Sequence, residues 1–265
     1  MYTLGDDLMS QLYDRADIYD LIENEKRTEL IRKDWKMFLG DRKIMTFLDV
    51  SIGTGSMTLP LQELGITVYG SDLSEAMLSR CKNKAQQKGF PIELHSSDFR
   101  DLSCWDGRLF DCVASTGNAL AYVPNEDIPT ALEQMNRLVK PGGYLYFDSR
   151  NWEKIQREKQ RFCCYNPFFH SNYRVNLVQF WDHNHDGTIT FNLLYTFEKD
   201  NRIFQKEIFE EHYYPFKKDF AVEKILSLGY DEIELKPVPC EDEETDFDKI
   251  GWYQIIARKK LTSDF

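Results

Sequence analysis

The chain has 265 residues, of which 42% are hydrophobic and 14% aromatic, enough for a buried core within one α/β domain. Asp and Glu (44) outnumber Lys and Arg (33), and a net charge of −11 without a basic stripe argues against a nucleic-acid partner. No run of about 18 apolar residues could span a membrane, and the first residues do not resemble a signal peptide. The six cysteines lack metal-ligand spacing and are predicted to be free thiols. We therefore expect a cytoplasmic protein without membrane partners.

The first 150 residues alternate between helical and strand-like patterns. Residues 1–40 place apolar side chains at three- and four-residue spacings, which predicts a helical segment that stops at Gly40. Helices are also predicted over 56–64, 74–88 and 125–139, and Ser74 can cap the second of these. Five short apolar strands lie between the helical stretches, over 44–50, 66–72, 92–95, 109–115 and 144–148. This alternation predicts a parallel sheet covered on both faces.

The pattern changes after residue 150. A short helix over 152–159 precedes three predicted strands, and the middle strand alternates strictly between apolar and polar side chains. Asp186-Gly187 is a hairpin signal between the first two strands. About sixty residues could barely bury a core alone, so we predict an inserted antiparallel sheet and not a second domain. The three strands are predicted over 173–182, 189–197 and 203–213.

The parallel pattern resumes near the end of the chain, with a helix over 220–228 and strands over 233–235 and 252–257. The predicted fold is therefore α/β: a doubly wound, mainly parallel seven-stranded Rossmann-like sheet with an inserted antiparallel lid. One domain is expected over 1–265. It would comprise a helical segment (1–40), a core (41–150 and 213–265) and the lid (151–212).

A glycine-bearing turn follows the first predicted strand. Such a turn, at Gly53 and Gly55, lets a ligand approach the backbone, and Asp72 at the end of the next strand can accept both ribose hydroxyls of an adenosine. The third glycine of the dinucleotide pattern is replaced by Thr58, and Asp49 would be unwelcome beside a diphosphate. The turn therefore favours a ligand with a cationic end, such as an ammonium or sulfonium. By itself, the two-glycine pattern is also compatible with a plain β–α turn.

With these features, the chain resembles the class I S-adenosylmethionine-dependent methyltransferases. The matching segments occur in the family's order and spacing, and the resemblance is strongest from Phe47 to Ser149. Ser51 is a departure, since the family usually has glycine or another small residue there. The matching segments are 48–55, 70–78, 97–99, 110–113 and 138–145.

The resemblance implies S-adenosylmethionine as the cofactor. Gly53 and Gly55 would pass beneath its methionine moiety, and Asp72 would hold the ribose. Asp98 would bond the adenine amino group, although a solvated loop carboxylate is the alternative, and Phe99 would lie against the ring. The backbone around residues 117 and 118 would line the sulfonium end. The implied cofactor-binding set is Asp49, Ser51, Gly53, Gly55, Asp72, Leu73, Asp98, Phe99 and Gly117.

Two segments, 115–123 and 147–152, also resemble the glycine N-methyltransferases, as do Trp35 and the Tyr213-Tyr214-Pro215 triplet. The resemblance implies acceptor-site roles for Asn118, Arg150 and Tyr195. Arg150 leaves a central strand at its carboxyl end, where a guanidinium can hold a carboxylate with two parallel bonds. The alternatives are a surface ion pair for Arg150 and packing beneath the insertion for Tyr195.

The segment from His183 to Asp186 invites a metal-site interpretation. It coincides with the predicted hairpin turn, where such residues are common, and no third ligand cluster accompanies it. No metal is therefore predicted.

The predicted function is N-methylation of a small amine-bearing acid, with glycine and sarcosine as the leading acceptors. A neutral amine would displace the sulfonium methyl in line, and alignment of the reactants would supply about 7–11 kcal/mol. No strong general base is required, and the amine would lose its proton to solvent. The alternatives are N-methylation of an amino sugar or other natural-product amine, a nicotinamide-dependent oxidoreductase, and a cofactor-binding regulator without activity.

Overall fold

The computed structural model describes residues 12–240, 242 and 244–261. The first part of the predicted N-terminal helical segment, residues 1–11, lies outside the described residues, and helical turns follow from Leu12 to Leu39. Asn24 caps the longest of these helices by accepting a hydrogen bond from the Arg27 amide (2.9 Å), and the helix ends at Gly40. No helix of the described part is long and apolar enough to span a membrane.

The described residues contain six α-helices and twelve strands. The helices are α1 (Ala16–Tyr19), α2 (Glu25–Leu39), α3 (Glu75–Gln87), α4 (Ile128–Leu138), α5 (Trp152–Glu158) and α6 (Lys218–Ser227). The strands are β1 (Thr46–Asp49), β2 (Thr67–Asp72), β3 (Glu93–Ser96), β4 (Phe110–Ser115), β5 (Val139–Arg150), β6 (Phe162–Cys164), β7 (Phe168–His170), β8 (Tyr173–His183), β9 (Ile189–Lys199), β10 (Arg202–Tyr213), β11 (Tyr230–Pro237) and β12 (Trp252–Lys259).

Seven strands form the central sheet in the order β11-β12-β5-β4-β1-β2-β3. Strands β1 to β5 are parallel, and β12 runs antiparallel to both β5 and β11. The predicted fold class is therefore confirmed. Because the chain returns from β3 to place β4 beside β1, the loops after β1 and β4 diverge and leave a crevice at their carboxyl ends.

Apolar layers cover both faces of this sheet. Phe47 packs in one layer with Trp35 and Phe38 of α2, whereas the adjacent Leu48 belongs to the opposite layer. Successive residues of a strand point to opposite faces, so a strand covered on both sides reads as a continuous apolar run. This is the physical reason why the core strands could be predicted from short apolar runs.

The inserted lid is a separate antiparallel sheet in the order β10-β9-β8-β6, with β7 beside β8. Every second residue of β9 is buried, as its alternation predicts. The buried face belongs to the same hydrophobic cluster as the central sheet, so the lid and the core share one interior. Strands β6 and β7 have only three residues each, too few for a periodic pattern to be recognised in the sequence.

Two predicted elements differ from the observed ones. The helix expected over 56–64 is a 3-10 helix over Leu59–Leu64, with Pro60 in its first turn. Strand β5 begins at Val139, five residues before its predicted start, and passes through Gly143. A Cβ on Gly143 would lie 2.9 Å from the Asp111 carbonyl oxygen of β4, so glycine lets the strand continue where the sequence suggests a turn.

Candidate active site

A cleft of about 320 Å³ opens at the carboxyl ends of β1, β2 and β4. This is the crevice in which open α/β sheets bind ligands. Its wall combines the glycine-bearing loop, the end of β2, and side chains of the N-terminal helical segment. The lining residues include Tyr13, Tyr19, Ser51, Gly53, Thr54, Asp72, Leu73, Phe99, Thr116, Gly117 and Tyr122.

The glycine-bearing loop has the backbone that the sequence predicts. Gly53 and Gly55 adopt left-handed φ values of 54° and 78°, a region that glycine enters without strain. A Cβ on Gly55 would lie 2.7 Å from Leu59 and Cys81 side-chain atoms. A side chain at either glycine would thus distort the loop that forms the floor of the cleft.

Asp72 closes the cleft opposite this loop. Its two carboxylate oxygens accept the backbone amides of Gly53 (2.8 Å) and Ser74 (2.9 Å). Burial raises the pKa of Asp72, and these amide hydrogen bonds oppose the rise. Leu73, next to it, is 65% exposed along the cleft wall. The carboxylate is thus fixed at the position where the sequence places a ribose acceptor.

Asp49 lies beneath the cleft floor and Ser51 lines the cleft, and together they link β1 to β4. Asp49 is fully buried and accepts hydrogen bonds from the Ser51 amide (3.1 Å) and the Thr116 hydroxyl (2.7 Å). Burial raises the pKa of Asp49 to about 7. The Ser51 hydroxyl in turn accepts the Thr116 amide at 2.9 Å. Asp49 therefore reaches the cleft through Thr116 and does not line it directly.

Asp98 and Phe99 have different surroundings in the structure. Phe99 lines the cleft and is only 9% exposed. The Asp98 carboxylate instead accepts both the backbone amide (2.8 Å) and the guanidinium (2.6 Å) of Arg100. Burial raises the pKa of Asp98, but these hydrogen bonds from Arg100 hold it below its usual value. The adenine-binding role of Asp98 stays a prediction.

The loop after β4 is held by a buried carboxylate that the sequence analysis missed. Asp148 of β5 accepts the amides of Gly117 (3.0 Å) and Asn118 (3.1 Å) and the Trp252 indole N–H (2.9 Å). Burial raises the pKa of Asp148 to about 6. The apolar run that Asp148 ends, over residues 144–147, was the available signal for its burial.

Asn118 has a structural role in this loop. It adopts a left-handed φ of 64°, and its side-chain oxygen accepts the Ser149 hydroxyl and the Arg150 amide, both at 3.0 Å. That oxygen is therefore engaged within the protein and is not directed at a substrate. What Asn118 aligns is the end of β5, from which the Arg150 side chain departs.

The Arg150 guanidinium lies among aromatic rings. Its carbon is 4.8 Å from the Trp252 ring centroid, 5.2 Å from Phe191 and 5.3 Å from Trp181. Cation–π contacts of this kind stabilise the charge without using its N–H donors. No ion pair of Arg150 occurs among the described residues. The surface ion pair considered as the alternative is therefore not what the structure contains.

Tyr195 packs beneath the lid. Its ring is 5% exposed and lies edge-on against Phe209, at a centroid distance of 5.8 Å. It shares the inward face of β9 with Phe191 and Phe197, so its side chain belongs to the common interior. Of the predicted site residues, Tyr195 is therefore not on the cleft wall, and neither are Asp49, Gly55, Asp98, Asn118 and Arg150.

Three tyrosines far apart in the sequence meet at one end of the cleft. The Tyr13 hydroxyl donates to the Tyr122 hydroxyl at 2.7 Å, and Tyr122 is hydrogen-bonded to the Tyr213 hydroxyl at 2.5 Å. Glu211, two residues before Tyr213 on the inward face of β10, is 5% exposed beside them. The sequence pointed to the Tyr213 triplet and to segment 115–123, which contains Tyr122, and the inward alternation of β10 would also have singled out Glu211.

A second missed cluster ties the N-terminal segment to the glycine-bearing loop. Asp20 accepts hydrogen bonds from the Thr54 hydroxyl (2.7 Å) and Arg80 (2.6 Å), and it pairs with Lys84 at 3.1 Å. Lys84 also donates to the hydroxyls of Thr54 and Ser56 in the cleft wall. Asp20 resembles an ordinary solvent-facing helix residue in the sequence, so no local signal identified it.

The His183–Asp186 segment forms the hairpin turn predicted for it. Asp186 accepts the Thr188 amide (3.0 Å) and hydroxyl (2.6 Å), and His183 contacts the Gln160 carbonyl oxygen. Across the residues that the structure describes, no three His, Cys, Asp or Glu side chains are grouped to hold a metal ion.

Comparisons with known proteins agree with this geometry. Residues 47–143 match the methyltransferase domain family. The putative methyltransferase YqeM of Bacillus subtilis (strain 168) is 36% identical over 109 residues, which cover 41% of this chain and 43% of that protein. The ubiquinone biosynthesis O-methyltransferase of Coxiella burnetii (strain RSA 331 / Henzerling II) is 27% identical over 69% of this chain and 74% of its own length. The glycine/sarcosine/dimethylglycine N-methyltransferase of Actinopolyspora halophila is 26% identical over 81% of this chain and 36% of its own length.

Solved structures share the fold over nearly the whole chain. An S-adenosylmethionine-dependent methyltransferase from Clostridium acetobutylicum ATCC 824 has a TM-score of 0.73 and 17% identity, covering 94% of this chain and all of that one. The sugar N-methyltransferase KedS8 from Streptoalloteichus sp ATCC 53650 has a TM-score of 0.68 and 17% identity, covering 98% of this chain and 97% of its own.

Residues 47–143 carry a methyltransferase domain, and the fold and the relatives support a class I S-adenosylmethionine-dependent methyltransferase. Its cofactor is S-adenosylmethionine, and the residues present fit that molecule. Gly53 lines the cleft with open space where a Cβ would stand, Asp72 offers a fixed carboxylate, and Phe99 offers an aromatic face. The alignments span only 43% of the Bacillus relative and 36% of the Actinopolyspora relative. They therefore do not identify the methyl acceptor of this chain.

Proposed function

We propose that the chain methylates the nitrogen of a small amine-bearing acid, with glycine or sarcosine as the leading acceptor. The observation that carries this proposal is the Arg150 guanidinium. It leaves β5 at the carboxyl edge of the sheet, next to the Gly117 loop, and no acidic side chain of the described residues pairs with it. A planar guanidinium with free donors matches a carboxylate by two parallel hydrogen bonds.

The surroundings of Arg150 support the same acceptor class. Trp181 and Phe191 are each 1% exposed, so the guanidinium packs against buried aromatic rings. A charged hydrogen bond gains strength where water is excluded. The relative from Actinopolyspora halophila, named for glycine, sarcosine and dimethylglycine, aligns over 81% of this chain. A carboxylate held at Arg150 would leave the amine free to face the cleft.

The chain's residues would act mainly by positioning. Bound S-adenosylmethionine supplies an electrophilic methyl group on a sulfonium. Asp72 and the glycine-bearing loop would fix one end of the cleft, while Asp148 holds the Gly117 loop through two amide bonds. Arg150 would orient the acceptor carboxylate. Alignment of two reactants in this way can supply about 7–11 kcal/mol of the acceleration.

An amino sugar is the second candidate acceptor. The hydroxyls of Tyr13 and Tyr122 lie at the cleft end, and they suit an acceptor that carries several hydroxyl groups. KedS8, a sugar N-methyltransferase, covers 98% of this chain at 17% identity, which supports the shared fold. A purified-protein assay with labelled S-adenosylmethionine and a panel of glycine, sarcosine, glucosamine and a phenol separates the candidates. Transfer to glucosamine alone would make an amino sugar the acceptor in place of the amine-bearing acid. Transfer to the phenol alone would contradict N-methylation.

The carboxylate clamp is tested by Arg150→Ala and Arg150→Lys assayed on glycine and glycinamide. We expect Arg150→Ala to raise KM for glycine at least tenfold, with cofactor affinity nearly unchanged, and Arg150→Lys to recover only part of the loss. The KM for glycinamide should change far less, because glycinamide offers no carboxylate. Arg157→Ala, which removes an exposed pair with Asp248, is the matched control. An equal loss on acid and amide would make Arg150 structural and refute the clamp.

A further inference from the structure

Glu211 is a buried carboxylate for which the positioning mechanism has no use. On β10 it points inward together with Phe209 and Tyr213, whereas the adjacent Glu210 is exposed. Glu211 is 5% exposed, and its Oε1 makes no hydrogen bond to the described residues. A charged carboxylate without a cationic partner is expensive to bury. This arrangement points to a cation that arrives with a ligand.

The groups around Glu211 supply no such cation. Within the described part of the chain, the titratable side chains that act on it from the neighbouring elements are all tyrosines: Tyr13, Tyr122, Tyr195 and Tyr213. Burial raises the pKa of each tyrosine, so all four are uncharged near neutral pH. Burial also raises the pKa of Glu211 to about 7, opposed by hydrogen bonds from the Tyr122 side chain and the Leu12 backbone.

The tyrosines connect Glu211 to the cleft. Tyr122 lines the cleft and is joined to the hydroxyls of Tyr13 and Tyr213. The Tyr213 ring lies 4.5 Å from that of Phe191, which the Arg150 guanidinium contacts. Burial and Glu211 raise the pKa of Tyr213, and Arg150 lowers it. A guanidinium and a carboxylate thus flank one aromatic cluster. Aromatic faces with a carboxylate attract an ammonium, and a free guanidinium attracts a carboxylate.

We propose that Glu211 receives the proton that the acceptor amine releases, through the Tyr122 hydroxyl, and that this end of the site takes a small primary or secondary ammonium. The inference rests on the proposed function and replaces direct proton loss to solvent. The ammonium N–H bond breaks, its proton moves to the Tyr122 oxygen, and the Tyr122 proton moves to the Glu211 carboxylate. The nitrogen keeps the electron pair, which bonds to the methyl carbon as the methyl–sulfur pair returns to sulfur. Glu211 releases the proton to water after the product leaves.

The first experiment measures kcat/KM from pH 6 to pH 10 with whichever panel amine is methylated. We expect Glu211→Gln to lose at least tenfold at pH 7.5 and to recover toward pH 10, where the amine is neutral in solution before it binds. Tyr122→Phe, which keeps the ring and removes the hydroxyl, should lose activity with the same pH dependence. Glu210→Gln, the exposed neighbour, is the matched control and should follow the wild type. An equal loss at every pH, or no loss, would overturn the proposal.

The second experiment does not depend on turnover. Methylammonium chloride is titrated into the S-adenosylhomocysteine complex by calorimetry, and we expect binding to weaken at least tenfold in Glu211→Gln but not in Glu210→Gln. Absence of methyl transfer to every panel amine would refute the proposed function, while Glu211-dependent methylammonium binding would still support the ammonium site. Methyl transfer to an amine combined with unchanged methylammonium binding in Glu211→Gln would refute this inference and leave the proposed function standing.

Discussion

Asp72 shows how a single carboxylate can be arranged before its ligand arrives. Each of its oxygens accepts one backbone amide and keeps a further lone pair, and Asp72 lines the cleft. The amide bonds fix the side chain, so little freedom is lost when a diol binds. The same amide bonds also make Asp72 part of the loop structure, which a substitution test must take into account.

We predict that Asp72→Ala lowers S-adenosylmethionine affinity at least tenfold, because charge-assisted hydrogen bonds contribute about 1.5–3 kcal/mol each. Calorimetry measures the affinity, and circular dichroism checks that the fold persists. Glu75→Ala, an exposed carboxylate three residues away, is the control and should bind normally. Unchanged affinity in Asp72→Ala would contradict the ribose assignment.

At the scale of elements, the N-terminal segment and the core meet at the cofactor cleft through Asp20. Its side chain is 4% exposed and is satisfied by Thr54, Arg80 and Lys84, which belong to the glycine-bearing loop and to α3. A buried carboxylate bound on several sides couples the elements that supply its partners. The N-terminal segment therefore contributes to the cleft both through its tyrosines and by holding the loop.

We predict that Asp20→Ala destabilises the protein by about 2 kcal/mol, because Arg80 and Lys84 lose the buried carboxylate that they share, while Lys84 keeps its pair with Glu23. Cofactor affinity should also fall, since the Thr54 hydroxyl in the cleft wall loses its acceptor Asp20. Urea unfolding and calorimetry measure the two effects. Asp17→Ala removes an exposed pair with Arg15 and should change stability by less than about 1 kcal/mol. If the two variants are equally stable, the Asp20 cluster does not couple the segment to the core.

At the scale of the whole molecule, burial raises the pKa of three carboxylates of the described residues most strongly: Asp49 to about 7, Asp148 to about 6 and Glu211 to about 7. The unfolded chain releases these protons near pH 4, whereas the folded chain keeps them until pH 6 to 7. Between those values the folded state binds more protons, so a rise in pH removes stability. The three groups therefore oppose folding most strongly above about pH 7.

We predict from this sign that Glu211→Gln gains stability relative to the wild type as pH rises from 5 to 8, by about 2 kcal/mol. Urea unfolding of both proteins without cofactor, at pH 5, 6.5 and 8, measures the difference. The wild type would thus sacrifice stability to keep an ionisable group in the acceptor site. A stability difference that stays constant with pH would mean that Glu211 titrates normally.

The sequence by itself determined the features that depend on neighbouring residues. Short apolar runs predicted the core strands. The turn at Gly53 and Gly55 was predicted from its glycines alone, and Asp72 was identified because it ends the next strand. Hairpin signals and strict alternation gave the lid in the same way, because side-chain direction along a strand depends on position alone. These features are local in the chain and need no knowledge of packing.

Only the tertiary structure decided which distant groups meet. The hydroxyls of Tyr13, Tyr122 and Tyr213 are joined across 109 and 91 residues of chain, and Glu211 is buried because β10 packs its inward face onto the shared core. Arg150 likewise has its aromatic surroundings from the lid and from β12. A local pattern specifies which residues face inward, but burial and electrostatic partners depend on how separate elements pack, and that is where the acceptor site is formed.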